Sequence, residues 1–168
     1  GAHLLSREHQ RYVTAIAMDT ARSTMATGGG AGALLRDPAT GDHTGPVLPH
    51  AGFVWDIAFH PGGRLVATGS GDKTARLWDR ATGHPMGLPM RHDSPVFSCE
   101  FSPDGRTVIT SSLDGLVRVW RVPDAAYAAG SMRPRSQAAI GERLTAAGAK
   151  FAFSIVCTYF LVIIVGSK

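Results

Sequence analysis

Two histidine–aspartate pairs are the residues of this sequence best suited to chemistry. His50 is followed by Asp72, and His92 is followed by Asp114 at the same spacing. A carboxylate can orient an imidazole so that it acts as a general base, which makes each pair a candidate catalytic pair. The pairs recur once per sequence repeat, however, whereas a catalytic site needs only one of them. We therefore favour a structural role for both pairs.

Other kinds of chemical site find less support. The run at 28–32 reads Gly-Gly-Gly-Ala-Gly, but it lacks the Gly-Lys-Ser/Thr that a phosphate-binding loop requires. We expect this run to form a flexible turn between strands. The seven histidines recur by repeat or lie on turns, without the spacing of metal ligands. The sequence therefore predicts no catalytic residue, no metal and no cofactor.

The histidine pairs belong to a unit that is repeated with a period of 42 residues. The segment His50–Phe59 aligns with His92–Phe101, and Arg76-Leu-Trp78 aligns with Arg118-Val-Trp120. Apolar runs separated by turn residues predict three short strands before each tryptophan, and a fourth strand around 86–90. A fixed period of this length indicates a repeat architecture, in which each unit must pack on its neighbours.

These motifs resemble the WD repeat, the unit of WD-type β-propellers, in two near-complete copies. The resemblance implies an all-β fold, namely a partial β-propeller of about three four-stranded antiparallel blades in an open arc. The linkers 40–50 and 82–92 look like those of bacterial WD-repeat proteins. In this family a hydrogen-bonded tetrad commonly ties each blade together. Its members here would be His50, Thr68, Asp72 and Trp78 in one blade, and His92, Thr110, Asp114 and Trp120 in the next.

The repeat divides the first 123 residues into predicted blades. Residues 9–49 form a degenerate WD-like blade, in which Arg36 replaces the tryptophan, and residues 50–91 and 92–123 form two further blades. We expect residues 1–8 to be the outer strand of an incomplete preceding blade. Because three blades cannot close around an axis, we expect further WD blades, in a longer chain of which this is a fragment or in another copy.

The C-terminal part of the sequence departs from the repeat. Residues 124–150 are rich in alanine and are expected to be a linker, whereas residues 151–167 are uncharged, apolar and expected to be helical. Three interpretations of this tail stay open. It is a membrane anchor near the lower length limit for a span, a segment that covers an open blade edge, or an accidental terminus without a selected role.

Composition sets only loose limits on function. The net charge of +4 comes with 18% charged residues and no dense basic run, so nucleic-acid binding is not favoured. Cys99 and Cys157 are the two cysteines and give no disulfide framework. A reducing compartment is therefore expected, which places the protein in the cytoplasm, with attachment to a membrane through 151–167 as the alternative.

The leading functional hypothesis is a non-catalytic scaffold for protein or peptide partners, because the resemblance implies this role. The alternatives are a membrane-tethered sensor or scaffold and, less favoured, a propeller enzyme, for which Asp56 is the only acid in a channel-side slot. Aromatic residues after the opening histidines suit contact with a partner, although they could instead pack between blades. The candidate partner-binding residues are Tyr12, Phe53, Trp55 and Phe97.

Overall fold

The computed structural model of the protein describes residues 12–30 and 32–123. In these ranges eleven strands form three antiparallel sheets. No helix of this described part is long and apolar enough to cross a membrane. The predictions made for residues 1–8, 124–150 and 151–167 lie outside the described residues.

The first sheet, blade 1, begins the arc and contains four strands in sequential order. A turn of 3-10 helix, Thr20–Arg22, joins the first strand to the second. The second strand runs through Gly29, so the glycine run forms the predicted turn only in part. The strands are β1 (Val13–Asp19), β2 (Thr24–Gly29), β3 (Gly32–Arg36) and β4 (His43–Pro49).

The second sheet, blade 2, also contains four strands, but its outer strand is shorter than the sequence predicts. The sequence predicts this strand around 86–90, whereas the strand of the structure is Met90–Arg91, so only Met90 of the predicted segment belongs to it. Pro85 and Pro89 have no N–H to donate to a ladder, and Gly87 adopts a φ of +87°, so the segment cannot pair continuously. The strands are β5 (Val54–Phe59), β6 (Leu65–Ser70), β7 (Thr74–Asp79) and β8 (Met90–Arg91).

The third sheet, blade 3, contains three strands within the described residues, in the order β11-β10-β9. They are β9 (Val96–Phe101), β10 (Thr107–Ser112) and β11 (Val117–Arg121). The fourth strand of this blade stays a prediction, because the chain beyond residue 123 is outside the described ranges. Strand β11 is therefore the edge of the described sheet.

Tight turns after the first strand of blades 2 and 3 contribute to the contact between blades. Gly63 and Gly105 adopt φ values of +72° and +70°, a left-handed conformation that glycine reaches without a steric penalty. The guanidinium of Arg22 lies over Gly63, and the ring of His60 lies over Gly105. A Cβ at either glycine would overlap the side chain of the preceding blade, so the absent side chain also makes room for the neighbour.

The apolar core lies between neighbouring blades. One cluster joins blade 1 to blade 2, and its members are Ala26, Ala33, Leu35, Leu48, Val54, Ile57, Val66 and Trp78. The other cluster joins blade 2 to blade 3, and its members are Leu65, Ala67, Ala75, Leu77, Met90, Val96, Cys99, Phe101, Val108 and Val122. Burial of apolar surface between blades is the main favourable contribution to folding, because a single thin sheet cannot cover its own faces.

Both ends of the arc expose apolar side chains at positions that are buried inside it. Ile16 of blade 1 is 65% exposed, whereas Ile57, at the same place in blade 2, is 5% exposed. Val119 of blade 3 is 41% exposed, whereas its counterpart Leu77 is 6% exposed. These contrasts are expected for an open arc, and the all-β partial propeller predicted from the sequence is confirmed.

Candidate functional site

The four predicted tetrad residues of blade 2 come together in a hydrogen-bonded chain. The indole Nε1 of Trp78 donates to Thr68 Oγ1 at 2.8 Å, and this hydroxyl lies 2.7 Å from His50 Nε2. On its other side, His50 Nδ1 lies 2.8 Å from Asp72 Oδ2. Because a carboxylate accepts, Nδ1 carries the proton and Nε2 accepts from the threonine hydroxyl. Both imidazole nitrogens are therefore occupied.

Burial sets the protonation of this chain. It lowers the pKa of His50, and the hydrogen bond that His50 donates to Asp72, which favours the charged form, does not offset it. Burial also acts to raise the pKa of Asp72, but hydrogen bonds from Thr74 and His50 outweigh burial and lower it. The pair is therefore a neutral histidine that donates to an ionised aspartate. With no exposed nitrogen, His50 is not placed to remove a proton from a substrate.

Blade 3 contains the same four residue types, but the side chain of a fifth residue lies between two of them. Trp120 Nε1 donates to Thr110 Oγ1 at 2.8 Å, and His92 Nε2 lies 3.1 Å from that oxygen. The contact expected between His92 and Asp114 is replaced by Arg118, whose Nη1 lies 2.9 Å from His92 Nδ1 and 2.7 Å from Asp114 Oδ2. A guanidinium has no lone pair to offer, so His92 Nδ1 must accept and its proton is on Nε2.

One residue difference between the blades explains the inserted arginine. In blade 2 the hydroxyl of Thr74 donates to Asp72 Oδ1 at 2.6 Å. Leu116 stands at the corresponding place in blade 3 and has only its backbone N–H to offer Asp114. Thr74 Oγ1 also accepts from Nε of Arg76, the counterpart of Arg118, at 3.4 Å. Leu116 offers no such acceptor, and Arg118 donates to Asp114 Oδ2 instead. Burial and the positive charge of Arg118 lower the pKa of His92.

Blade 1 uses an arginine where the other blades have tryptophan. Arg36 is buried, and its Nε donates to Thr27 Oγ1 at 3.3 Å, as the indole does in the other two blades. Its Nη1 donates to the carbonyl of Gly41 at 2.9 Å. The guanidinium thus supplies a donor to the same threonine, which explains how the degenerate blade keeps its four strands.

Asp56, the acid predicted to face the channel, joins blade 2 to blade 3 through hydrogen bonds. Its Oδ2 accepts from Ser98 Oγ at 2.9 Å and from the backbone N–H of Cys99 at 2.9 Å, both in blade 3. Burial raises the pKa of this carboxyl, and the hydrogen bonds from blade 3 act in the opposite direction. Thr14 makes the matching contact one blade earlier, because its hydroxyl donates to the carbonyl of Val54 at 2.5 Å.

The candidate partner-binding residues form one continuous group, which we call the aromatic row. Its members, in order across the three blades, are Tyr12, Phe53, Trp55 and Phe97. Successive ring centroids lie 6.5, 5.8 and 5.8 Å apart. Tyr12 is 75% exposed and Trp55 is 38% exposed, while the other two rings are half-buried. The rings therefore pack on each other across the blade boundaries and keep one side open to solvent.

Further residues that could suggest chemistry have structural partners. His60 Nε2 lies 3.1 Å from the carbonyl of Gly105, and its ring meets Phe101 edge-on at 5.0 Å. Cys99 is buried, and burial raises the pKa of its thiol well above the usual value. Within residues 12–30 and 32–123, no three His, Cys, Asp or Glu side chains gather in a way that could hold a metal ion.

Sequence reasoning did not identify Arg118 and Arg36 as members of these groups. The signal for Arg118 was the loss of a hydroxyl at position 116, which leaves Asp114 short of a donor. The signal for Arg36 was its position, since it occupies the tryptophan place in the aligned repeats. Neither residue could be assigned a partner from spacing alone.

Two segments of this chain match a known protein family. The family described as WD domain, G-beta repeat matches residues 43–79 and 85–121. Each match begins in the outer part of one blade and ends with the third strand of the next, so the sequence repeat is staggered relative to the blades. A comparison with curated proteins gives no match.

Proposed function

Because this chain belongs to the WD-repeat family, we propose that it is a non-catalytic module that binds a protein or peptide partner through the aromatic row. WD-repeat proteins are generally non-enzymatic scaffolds, and their domains typically bind proteins or peptides. The single observation behind the choice of surface is the unbroken contact of the four rings across three blades.

The chemistry of the row suits recognition of apolar side chains. Tyrosine and tryptophan present large apolar area with few rotatable bonds, so little conformational entropy is lost when a partner binds. The rings are also fixed in advance, since each one leans on the next. A partner that lies along the row would contact all three blades at once, which makes its binding depend on the integrity of the arc.

The hydrogen bonding of the acidic and imidazole groups supports a binding role over a catalytic one. His50 has both ring nitrogens engaged within blade 2, and both oxygens of Asp56 accept hydrogen bonds. An enzyme would need a base and a nucleophile that converge on an open site. The likeness of the two linkers to those of bacterial WD-repeat proteins stays a prediction.

We further propose that another WD blade packs on the exposed face of blade 1. Val13, Ile16 and Met18 are exposed there, at the register positions that Val54 and Ile57 use to contact blade 1. A longer chain or a second copy would supply that blade. This contact would bury the apolar residues that the open arc leaves in water.

Selection from a displayed random-peptide library tests the aromatic row. Peptides enriched on the wild-type protein should bind Trp55→Ala and Tyr12→Ala at least tenfold more weakly, because truncation of a central ring in an interface costs about 2 kcal/mol or more. Leu88→Ala is the control, since Leu88 is 70% exposed and lies outside the row. Urea unfolding of each variant separates loss of binding from loss of folding.

The proposal fails if the enriched peptides bind the Trp55 and Tyr12 variants as well as the wild type. It also fails if Leu88→Ala weakens them equally. Tyr12→Ala keeps the test decisive should Trp55→Ala be destabilised, because Tyr12 is the most exposed ring of the row.

A further inference from the structure

Each blade has two faces, and on one of them the residues of blade 3 differ from those of blades 1 and 2. We call the face toward the next blade in sequence the trailing face. On this face three cross-strand neighbours form a row in every blade. The rows are Ala17-Ala26-Leu35 in blade 1, Ala58-Ala67-Leu77 in blade 2 and Glu100-Ile109-Val119 in blade 3.

Small residues on the trailing faces of blades 1 and 2 allow the next blade to approach closely. Gly28 has no Cβ where one would lie 2.8 Å from Val54 Cγ1, and a Cβ on Gly69 would lie 3.1 Å from Val96 Cγ1. The residue at this register position in blade 3 is Ser111, paired with Val117 as Gly69 is paired with Ala75. Its Cβ occupies the space that a following valine would need.

Larger residues occupy most positions of the trailing face of blade 3, although Val119 is smaller than its counterparts Leu35 and Leu77. Ile109 replaces alanine in the middle of the row, Glu100 replaces alanine beside it, and Val117 replaces alanine on the edge strand. These three residues and Ser111 fill space that is empty on the trailing faces of blades 1 and 2. A further blade of this repeat would therefore have to pack on blade 3 at a wider spacing than at the two internal contacts.

The raised face is nevertheless apolar at its centre and open to water. Ile109, Val117 and Val119 are 38%, 53% and 41% exposed, and they are cross-strand or adjacent-strand neighbours. Contiguous apolar groups on a surface mark a place where something binds. A cover for the centre of this face must be apolar, and it must not require the hollow that a blade requires.

We propose that residues 151–167 of the same chain cover the trailing face of blade 3. This segment is free of charge and follows a linker of residues 124–150 that starts beside the face, after Pro123. A random coil of this length has a mean end-to-end distance of roughly 30 Å, and β11 is only about 17 Å long, so the spacing along the sequence suffices to reach the whole face.

Tethering favours this occupant over others. An intramolecular segment acts at an effective concentration on the order of millimolar, which a second copy does not match at ordinary protein concentrations. Docking on blade 3 also buries the apolar segment and the trailing face in a single contact. Insertion of the segment into a membrane would bury the segment but would leave the trailing face in water.

A disulfide test uses the cysteine that the segment already contains. Val119→Cys places a thiol on the trailing face, where Cys157 of the segment can meet it, while Cys99 is buried and cannot compete. Ile16→Cys is the matched control, because Ile16 is an exposed apolar strand residue at the opposite end of the arc. Under mild oxidation of the full chain, the 119–157 disulfide should form at least tenfold faster than the 16–157 disulfide. Peptide mass spectrometry of the monomer identifies each bond.

A second measurement does not depend on a new thiol. Val119→Asp in the full chain should raise the reaction rate of Cys157 with a maleimide at least tenfold, whereas Ile16→Asp should leave it unchanged. Equal disulfide rates at positions 119 and 16, or a Cys157 that is equally reactive in all variants, overturn the proposal. Disulfides that form only between two copies, or protection of Cys157 that requires phosphatidylcholine vesicles, overturn it in favour of a second copy or a membrane.

Discussion

Replacing Thr68 by valine tests whether the tetrad itself stabilises blade 2. The hydroxyl of Thr68 accepts from Trp78 Nε1 and donates to His50 Nε2, at 2.8 and 2.7 Å. Valine keeps the shape but removes both bonds, and it leaves two polar groups without a partner. Trp78 is 2% exposed and the His50 side chain is fully buried, so water cannot replace the hydroxyl. At about 1–3 kcal/mol for each unsatisfied buried group, the loss should be about 2–5 kcal/mol.

Urea unfolding at neutral pH measures this loss, and two other threonines serve as comparisons. Thr110→Val removes the corresponding bonds in blade 3, where His92 Nε2 donates to the hydroxyl. Trp120 there is only half-buried, so water can reach it and the loss should be about 1–2 kcal/mol. Thr107→Val lies outside both tetrads and should change stability by less than about 0.5 kcal/mol. A Thr68→Val protein as stable as the Thr107 variant would refute the reasoning, as would a larger loss at Thr110.

Three further predictions concern protons and packing. The pKa of His50 and that of His92 lie below 6.5, so the unfolded chain binds protons first and the free energy of unfolding should fall as the pH drops from 7.5 to 5.5. A urea midpoint that does not move would contradict this. Long-range ¹⁵N NMR should find the proton on Nδ1 of His50 and on Nε2 of His92, and a shared tautomer would exclude the bridging role of Arg118. Gly28→Ala should cost about 1–3 kcal/mol in thermal unfolding through its contact with Val54, whereas Ser111→Ala should be nearly neutral.

The repeated part of the fold could be predicted because its signals are local and occur more than once. The spacing of Thr68 and Trp78 fixes where each falls on its strand, and the antiparallel register of these two strands brings both side chains to one face. His50 follows the outer strand of the preceding blade and meets them there. The same reasoning was less successful in blade 3. There the partner of His92 depends on whether a neighbouring residue carries a hydroxyl, a competition between donors that spacing does not express.

Contacts between blades were the least predictable feature. The sequence placed Trp55 and Phe97 at equivalent positions of two repeats, but whether their rings touch depends on the angle between blades. That angle follows from side-chain volumes at the interface, such as the missing Cβ at Gly69, and no repeat period contains it. The sequence alone therefore does not distinguish a partner-facing role for the rings from packing between blades. In the structure the rings of Trp55 and Phe97 touch across the blade boundary, and Trp55 stays 38% exposed.

The blade contacts, and not the tetrads, determine that this chain forms an arc. The tetrad varies from blade to blade, since Arg36 replaces the tryptophan in blade 1 and Arg118 is inserted in blade 3. Both boundaries, in contrast, keep a glycine against a valine and a side-chain hydrogen bond across the gap, from Thr14 at the first and to Asp56 at the second. A blade that lacks the indole can therefore still pack on its neighbour. The trailing face of blade 3 differs from the other two at this contact, because it has Ser111 where Gly28 and Gly69 receive a valine of the next blade.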